Sequence, residues 1–308
     1  MDMNVIRLGT GKPLLLIHGI GSSHHSWDTI INELATRREV IAIDLPGFGD
    51  TPPLAGETTI GALADAVTEF LREEELLGID AVGSSMGARL VLELARRGGV
   101  LGAVVSLDPG GFWQGWEIPF FYYSVRLSAQ LVNNLQPFLP ALTGNPISRT
   151  VLLAQFSAHP WTIPAPIALQ ELRTFTPTPT FVALLDNLAH GEKQQGAPAG
   201  SIQHPLVIGW GRQDRVCLPS QAKRAQHLFP DAKLHWFDDS GHFPQLDVPE
   251  AATKLILQVT DGTYLPQEPT LETAVLPTRS EPDTLLIGVG TAVIVAGLFI
   301  AIRLATSR

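Results

Sequence analysis

What this 308-residue chain has little of narrows the field first. It holds one cysteine, Cys217, so no intramolecular disulfide framework braces it. Basic side chains are scarce: 21 Lys and Arg stand against 30 Asp and Glu, a formal net charge of −9. That balance argues against nucleic acid as a partner and against docking to anionic lipid through a basic patch. No apolar run follows a basic start in MDMNVIRLGTGKP, so a cleavable export signal is not expected. No internal repeat is present either. The length suits one buried core carrying an insertion, or two small domains.

Charge is missing altogether from LLIGVGTAVIVAGLFIAI, Leu285 to Ile302. As a helix these 18 residues span about 27 Å, close to the hydrocarbon thickness of a bilayer. Eleven of them are Leu, Ile, Val or Phe, together worth roughly −5 kcal/mol of insertion free energy. Gly288, Gly290 and Gly297 disfavour a soluble helix and are ordinary in membrane ones. The stretch before it, residues 261–284, contains four prolines and little periodicity, the composition of a tether. The sequence therefore predicts a globular domain, a Pro-rich linker and a transmembrane helix over 285–302.

Within the globular part, short apolar runs alternate with helical segments. LLLIH, EVIAID, IDAVG, LGAVVSLD, PLVIGWG and AKLHWF read as strands. Helical spacing covers Ser26 to Thr36, Ile60 to Glu75 and Met86 to Arg97. Continuous apolar strands separated by helices predict an α/β fold with a mostly parallel central sheet covered on both faces. The alternation stops between residues 111 and 201, where nine prolines fall from Pro119 to Pro179 beside the aromatic cluster FWQGWEIPFFYY. This stretch reads as a helical cap inserted into a core formed by residues 1–110 and 202–260. The aromatic side chains are expected in the cap's interior or along a pocket, with contact to a bilayer as the alternative.

The residues that carry chemistry fall at the ends of the predicted strands. In AVGSSMGAR the pattern G-x-S-x-G centres on Ser85, after a strand and before a helix. Such a serine needs a very sharp turn, and glycines two residues either side let backbone pass close by. Ser84 points elsewhere from the same turn. A serine hydroxyl is a poor nucleophile without a base. His242, in DDSGHFPQLD, follows the last predicted strand, and Asp214, in GWGRQDRVCLP, follows the one before. Serine, acid and histidine in that chain order match a known triad arrangement. Asp108, at the end of the fourth predicted strand, is the rival acid. The Met86 N–H, directly after the serine, and the Ile20 N–H, in HGIGSS, are the candidate oxyanion donors. His18 reads as structural, and the pair His24 and His25 as a solvated turn.

Together HGIGSSHHSW, IDLPGFGDT, GSSMG, GRQDRV and SGHFPQLDVPE, spread over roughly residues 4–260, resemble the α/β-hydrolase superfamily, serine-nucleophile branch with a cap domain. The resemblance implies an eight-stranded, mostly parallel sheet, no metal or cofactor, and a covalent acyl-enzyme pathway. It implies Ser85 as nucleophile, His242 as base, Asp214 as acid, and Met86 and Ile20 as oxyanion donors. Serine at position 85 sets the chain apart from the dehalogenases and epoxide hydrolases of the superfamily, which use aspartate there. Two features depart from the pattern: the first strand is short or missing, and the C-terminal apolar run is additional.

The expected function is a membrane-anchored serine hydrolase, carboxylesterase- or lipase-like, cleaving a small-molecule or lipid ester of a lipophilic acyl group. Cleavage of a C–C bond or perhydrolysis by the same three residues is the alternative, with Arg89 and Arg126 as candidate cations for a carboxylate-bearing substrate. A non-catalytic ligand-binding protein of the same fold is the third. A domain completed before its only anchor is expected to stay on the cytoplasmic side, although Arg303 and Arg308 beyond the anchor weigh the other way.

Overall fold

The computed structural model describes residues 3–267. The segment read as a transmembrane helix, and all of the linker beyond Gln267, lie outside the described residues. Among the described residues no helix is long and apolar enough to cross a membrane.

The chain opens with strands β1 (Val5–Leu8) and β2 (Pro13–Ile17), a short 3-10 turn at His24–Trp27, and α1 (Ile31–Ala35). Then follow β3 (Glu39–Ile43), α2 (Ile60–Glu73), β4 (Ile79–Ser84), α3 (Met86–Arg97) and β5 (Leu101–Leu107). Five helices come next: α4 (Glu117–Leu135), α5 (Leu139–Gly144), α6 (Pro146–Leu153), α7 (Ala165–Thr174) and α8 (Pro179–His190). The chain returns through β6 (Leu206–Gly211), α9 (Ala222–Leu228), β7 (Lys233–Phe237), α10 (Pro244–Asp247) and α11 (Pro249–Thr260).

The strands form one seven-stranded sheet in the order β1-β3-β2-β4-β5-β6-β7, parallel except for β1. Among the described residues there are seven strands, which corrects the implied count of eight. The first strand, expected to be short or missing, is β1, four residues long and antiparallel to β3. The predicted helix from Ser26 to Thr36 is in fact two pieces, the 3-10 turn and α1.

Burial on both faces explains why the strands read as continuous apolar runs. Along β2, Leu15 and Ile17 face a layer with α2 and α3, whereas Leu14 and Leu16 pack with Trp27, α1 and α11. The strand order positions the site. From β2 the chain crosses to β3 on one side and then to β4 on the other, and such a switch opens a crevice beyond the strands' carboxyl ends. The loops after β2 and β4 meet there.

Candidate active site

Ser85 is the hinge residue between β4 and α3, with φ 57° and ψ −112°. A non-glycine residue in that region carries backbone strain of about 1–3 kcal/mol, held in place by its surroundings. The surroundings are closely fitted. A Cβ on Gly87 would sit 2.3 Å from the Ile17 carbonyl oxygen, and one on Gly83 2.1 Å from that of Gly87. Glycine at both positions lets α3 press against β2 and β4, which drives the sharp turn. Ser84 does point elsewhere: its Oγ accepts a hydrogen bond from Gln245 Nε2 at 3.1 Å.

The three residues singled out in sequence converge. His242 Nε2 lies 2.8 Å from Ser85 Oγ, and His242 Nδ1 lies 2.8 Å from Asp214 Oδ2. All three side chains are buried. The other Asp214 oxygen accepts from the backbone N–H groups of Val216 (2.7 Å) and Cys217 (3.0 Å). With the carboxylate so fixed, the imidazole proton sits on Nδ1 and Nε2 is left to accept from the serine. The His242 loop is tied to the inserted helices, because the His242 N–H donates to the Phe156 carbonyl at 2.8 Å.

Asp108, the rival acid, does not reach the imidazole. Its Oδ1 accepts from the Gly211 N–H at 2.8 Å. Burial, reinforced by the neighbouring Asp214 charge, pushes its carboxyl well above the usual carboxylate range. Asp214, not Asp108, carries the hydrogen bond to His242. Cys217 packs beside the acid loop as expected, and burial together with the nearby carboxylates raises its thiol. Asp214, Cys217 and His242 each offer a ligand atom within 4.8 Å of the others, yet a thiol held protonated and an imidazole nitrogen already bonded to the carboxylate are poor metal ligands.

The two candidate oxyanion donors sit beside the serine. Met86 is the first residue of α3, so its N–H has no acceptor within the helix and lies at the positive end of the helix dipole. Ile20 belongs to the turn closed by the Ser22 N–H donating to the Gly19 carbonyl at 3.3 Å. Gly21, at φ 73°, takes the left-handed place that turn requires, and a Cβ there would strike the rings of Phe175 and Phe181. A Cβ on Gly19 would come 3.1 Å from the Ser85 Cβ, which shows how near this loop approaches.

Several residues went unnoticed in the sequence. Asp247 Oδ2 accepts from the N–H groups of Gly241 (2.7 Å) and Ala158 (2.9 Å), clamping the histidine loop to the insertion. Glu171 on α7 accepts from Ser22 Oγ at 3.0 Å. Burial raises its carboxyl to about 7, opposed by that hydrogen bond. Neither stands out in sequence: Glu171 lies two residues before Arg173, and Asp247 three before Glu250. The histidine pair is not a solvated turn. His24 Nδ1 lies 3.0 Å from buried Asp44, and His25 Nδ1 lies 2.9 Å from Asp28. Asp44 is distant in sequence and so escaped the reading. His18 is structural, accepting at Nε2 from the Leu45 N–H, with its pKa lowered to about 4 by burial.

Of the two candidate cations, Arg126 is exposed and donates to Tyr122 Oη at 2.6 Å. Arg89 is buried one helical turn beyond Ser85. It borders a cavity of about 260 Å³ that is also lined by Trp113, Ile118, Leu188 and Lys193. Its Nη atoms donate to the Leu188 and Glu192 carbonyls, and Nε has no partner among the described residues.

A serine held in so sharp a strand-to-helix turn, on a sheet of this order, defines a class of fold, and sequence comparison agrees. The chain belongs to the alpha/beta hydrolase family, whose model matches residues 14–254. It is 30% identical over 249 residues to the dihydrolipoyllysine-residue acetyltransferase component of the acetoin cleaving system of Cupriavidus necator, covering 78% of this chain and 61% of that protein. The chain thus spans less than two thirds of that relative. Similarity to 2-hydroxy-6-oxo-2,4-heptadienoate hydrolase of Pseudomonas putida is 27% identity, covering 83% of this chain and 91% of the other. For pimeloyl-[acyl-carrier protein] methyl ester esterase of Methylococcus capsulatus the figures are 28%, 83% and 97%.

Proposed function

We propose that this hydrolase is a serine esterase acting on a lipophilic acyl ester, anchored to a membrane through residues 285–302 with its catalytic domain on the cytoplasmic side. The observation that carries the catalytic reading is the unbroken relay from Ser85 Oγ through both nitrogens of His242 to Asp214, each step 2.8 Å. In this reading His242 Nε2 takes the serine proton as Ser85 Oγ attacks the acyl carbon, and Asp214 stabilises the imidazolium. The Met86 and Ile20 N–H groups receive the developing oxyanion, where losing one donor typically costs about 2.7–4 kcal/mol. His242 then returns the proton to the departing alcohol, and water releases the acyl group by the reverse sequence. The methyl ester esterase relative supports an ester substrate. The anchor rests on the charge-free run and the Pro-rich stretch before it.

A fluorophosphonate probe tests the nucleophile: it should label the wild type and spare Ser85→Ala. Equal labelling of both would refute the assignment, and absence of p-nitrophenyl ester turnover by the wild type would favour a binding protein.

Arg89 favours a second reading, a C–C bond hydrolase acting on an acid. A buried guanidinium that makes no ion pair among the described residues, with its Nη atoms on backbone carbonyls, at the edge of a cavity that Lys193 also lines, suits an anionic substituent. The heptadienoate hydrolase relative supports it. Arg89→Met should then raise KM for a dienoate substrate and leave KM for neutral esters unchanged.

A further inference from the structure

Helix α4 is apolar on both sides. Phe121, Val125, Ala129 and Val132 face inward and are buried. The opposite side exposes Trp116 by 50%, Tyr123 by 59% and Leu127 by 60%, with Phe120 and Leu131 half-buried between and beyond them. These five recur at three- and four-residue steps, one continuous stripe down the helix. Trp116 and Phe120 already meet edge to face at 5.8 Å. Among the described residues no element covers the stripe's exposed members, and an apolar stripe of this kind marks a site of contact.

The chemistry around the stripe selects the partner. In a chain of net charge −9, only Glu117, Arg126 and Arg149 carry a charge between residues 111 and 170. Glu117 is buried against Arg224, and Arg149 is buried with its guanidinium donating to the Thr143 and Trp161 carbonyls. Arg126 lies along the helix over the Tyr122 ring. The helix itself therefore presents no free carboxylate to be desolvated or repelled at a lipid surface; on neighbouring α8 the exposed Asp186 is paired at 3.0 Å with His190, whose ring meets Tyr122. Trp and Tyr, with an apolar body and a polar tip, suit the headgroup boundary. The same chain holds the charge-free run from Leu285 to Ile302. Only 17 residues separate it from Gln267, the last described residue, a reach of at most about 60 Å.

We propose that the outer face of α4 is a lipid-docking surface, lying in the headgroup boundary of the bilayer that anchors the chain. The proposal rests on the anchored reading above and adds an orientation to it: the inserted helices, rather than the sheet, meet the membrane.

The full chain, reconstituted into phosphatidylcholine vesicles, supplies the test. A fluorescent label is placed at Leu127→Cys on the stripe or at Leu77→Cys, half exposed just before β4, at the end of the strands opposite Ser85. Cys217 is buried and stays unlabelled. Nitroxide lipid should quench the label at position 127 severalfold while aqueous iodide hardly reaches it, and the label at 77 should show the reverse. Tyr123→Ser with Leu127→Ser should lower turnover of a vesicle-borne ester about tenfold and leave p-nitrophenyl acetate turnover unchanged. If the chain floats with the vesicles but iodide reaches position 127 freely, the anchor stands and the docking surface falls. Shielding of position 127 from both quenchers would also overturn it, pointing to a second copy or the chain's own C-terminal run as the cover. Failure of the chain to float with the vesicles removes the anchor and the docking surface together.

Discussion

The sheet edge and the inserted helices hold their residues by different means. At the sheet edge backbone does the holding: a left-handed turn aims Ser85, two N–H groups fix Asp214, and a carbonyl tethers the His242 loop. In the insertion, side-chain packing dominates. Val132, Leu139, Leu153, Ile163 and Leu172 form a separate apolar cluster, joined from the core by Leu246 of α10, and large apolar side chains remain on the outside. Backbone constraint tolerates almost no substitution, because a one-atom change meets a carbonyl oxygen at van der Waals violation. Packing accepts many solutions of similar volume.

The largest effect expected at the sheet edge separates the two acids there. Asp214→Asn leaves the shape intact but offers the wrong partner to Nδ1, so kcat for an ester should fall about 10⁴-fold. Asp108→Asn keeps an acceptor for the Gly211 N–H at a place where burial already disfavours charge and where the side chain does not bond His242, and kcat should stay within about tenfold. Steady-state kinetics of both variants on one ester decide it. Equal losses would mean that the two acids act as a unit.

A stability effect comes next. Gly87→Ala drives a Cβ to within 2.3 Å of the Ile17 carbonyl oxygen and 2.5 Å of that of His18. The helix must lift from β2, which should destabilise the protein by about 3 kcal/mol in urea unfolding. Ile163→Val, in the apolar cluster of the insertion, should cost only about 1 kcal/mol. If the second change proved the more damaging, the contrast between constrained edge and tolerant packing would be wrong.

How much was legible follows the same division. Strands β2 to β6 read directly as apolar runs because both faces are buried, and β7 read as a strand although it lies at the sheet edge and is only partly buried. The three residues of the relay each sit just past a strand end, where motif and position coincide. Strand β1 read only as short or missing because it is an edge strand of four residues, with Arg7 and Leu8 exposed. Helices α5, α6 and α7 escaped for a different reason. Each carries a proline in its first turn, Pro140, Pro146 and Pro166, where the missing N–H costs nothing. Read along the chain those prolines look like interruptions, whereas they are starts. Asp247 and Glu171 were beyond reach, since each bonds a residue more than 80 positions away.

The smallest effect lies where the two regions touch. Glu171, on α7, faces Ser22 of the loop that carries Ile20, with Asp28 and His25 of the core nearby. Its carboxyl is raised to about 7, first by burial and then by the Asp28 charge, while the Ser22 hydrogen bond and His25 act the other way. An acid whose folded pKa is raised favours the folded state fully below its unfolded value, near 4.5. That contribution is lost as pH rises through about 7. The wild type should therefore lose melting temperature between pH 5 and pH 8 relative to Glu171→Gln, which keeps a hydrogen-bonding group and cannot ionise. The two proteins should melt alike at pH 5, with the variant a few degrees higher at pH 8. Parallel melting curves at both pH values would place the Glu171 carboxyl in water and remove the one ionisable contact between α7 and the loop beside Ser85.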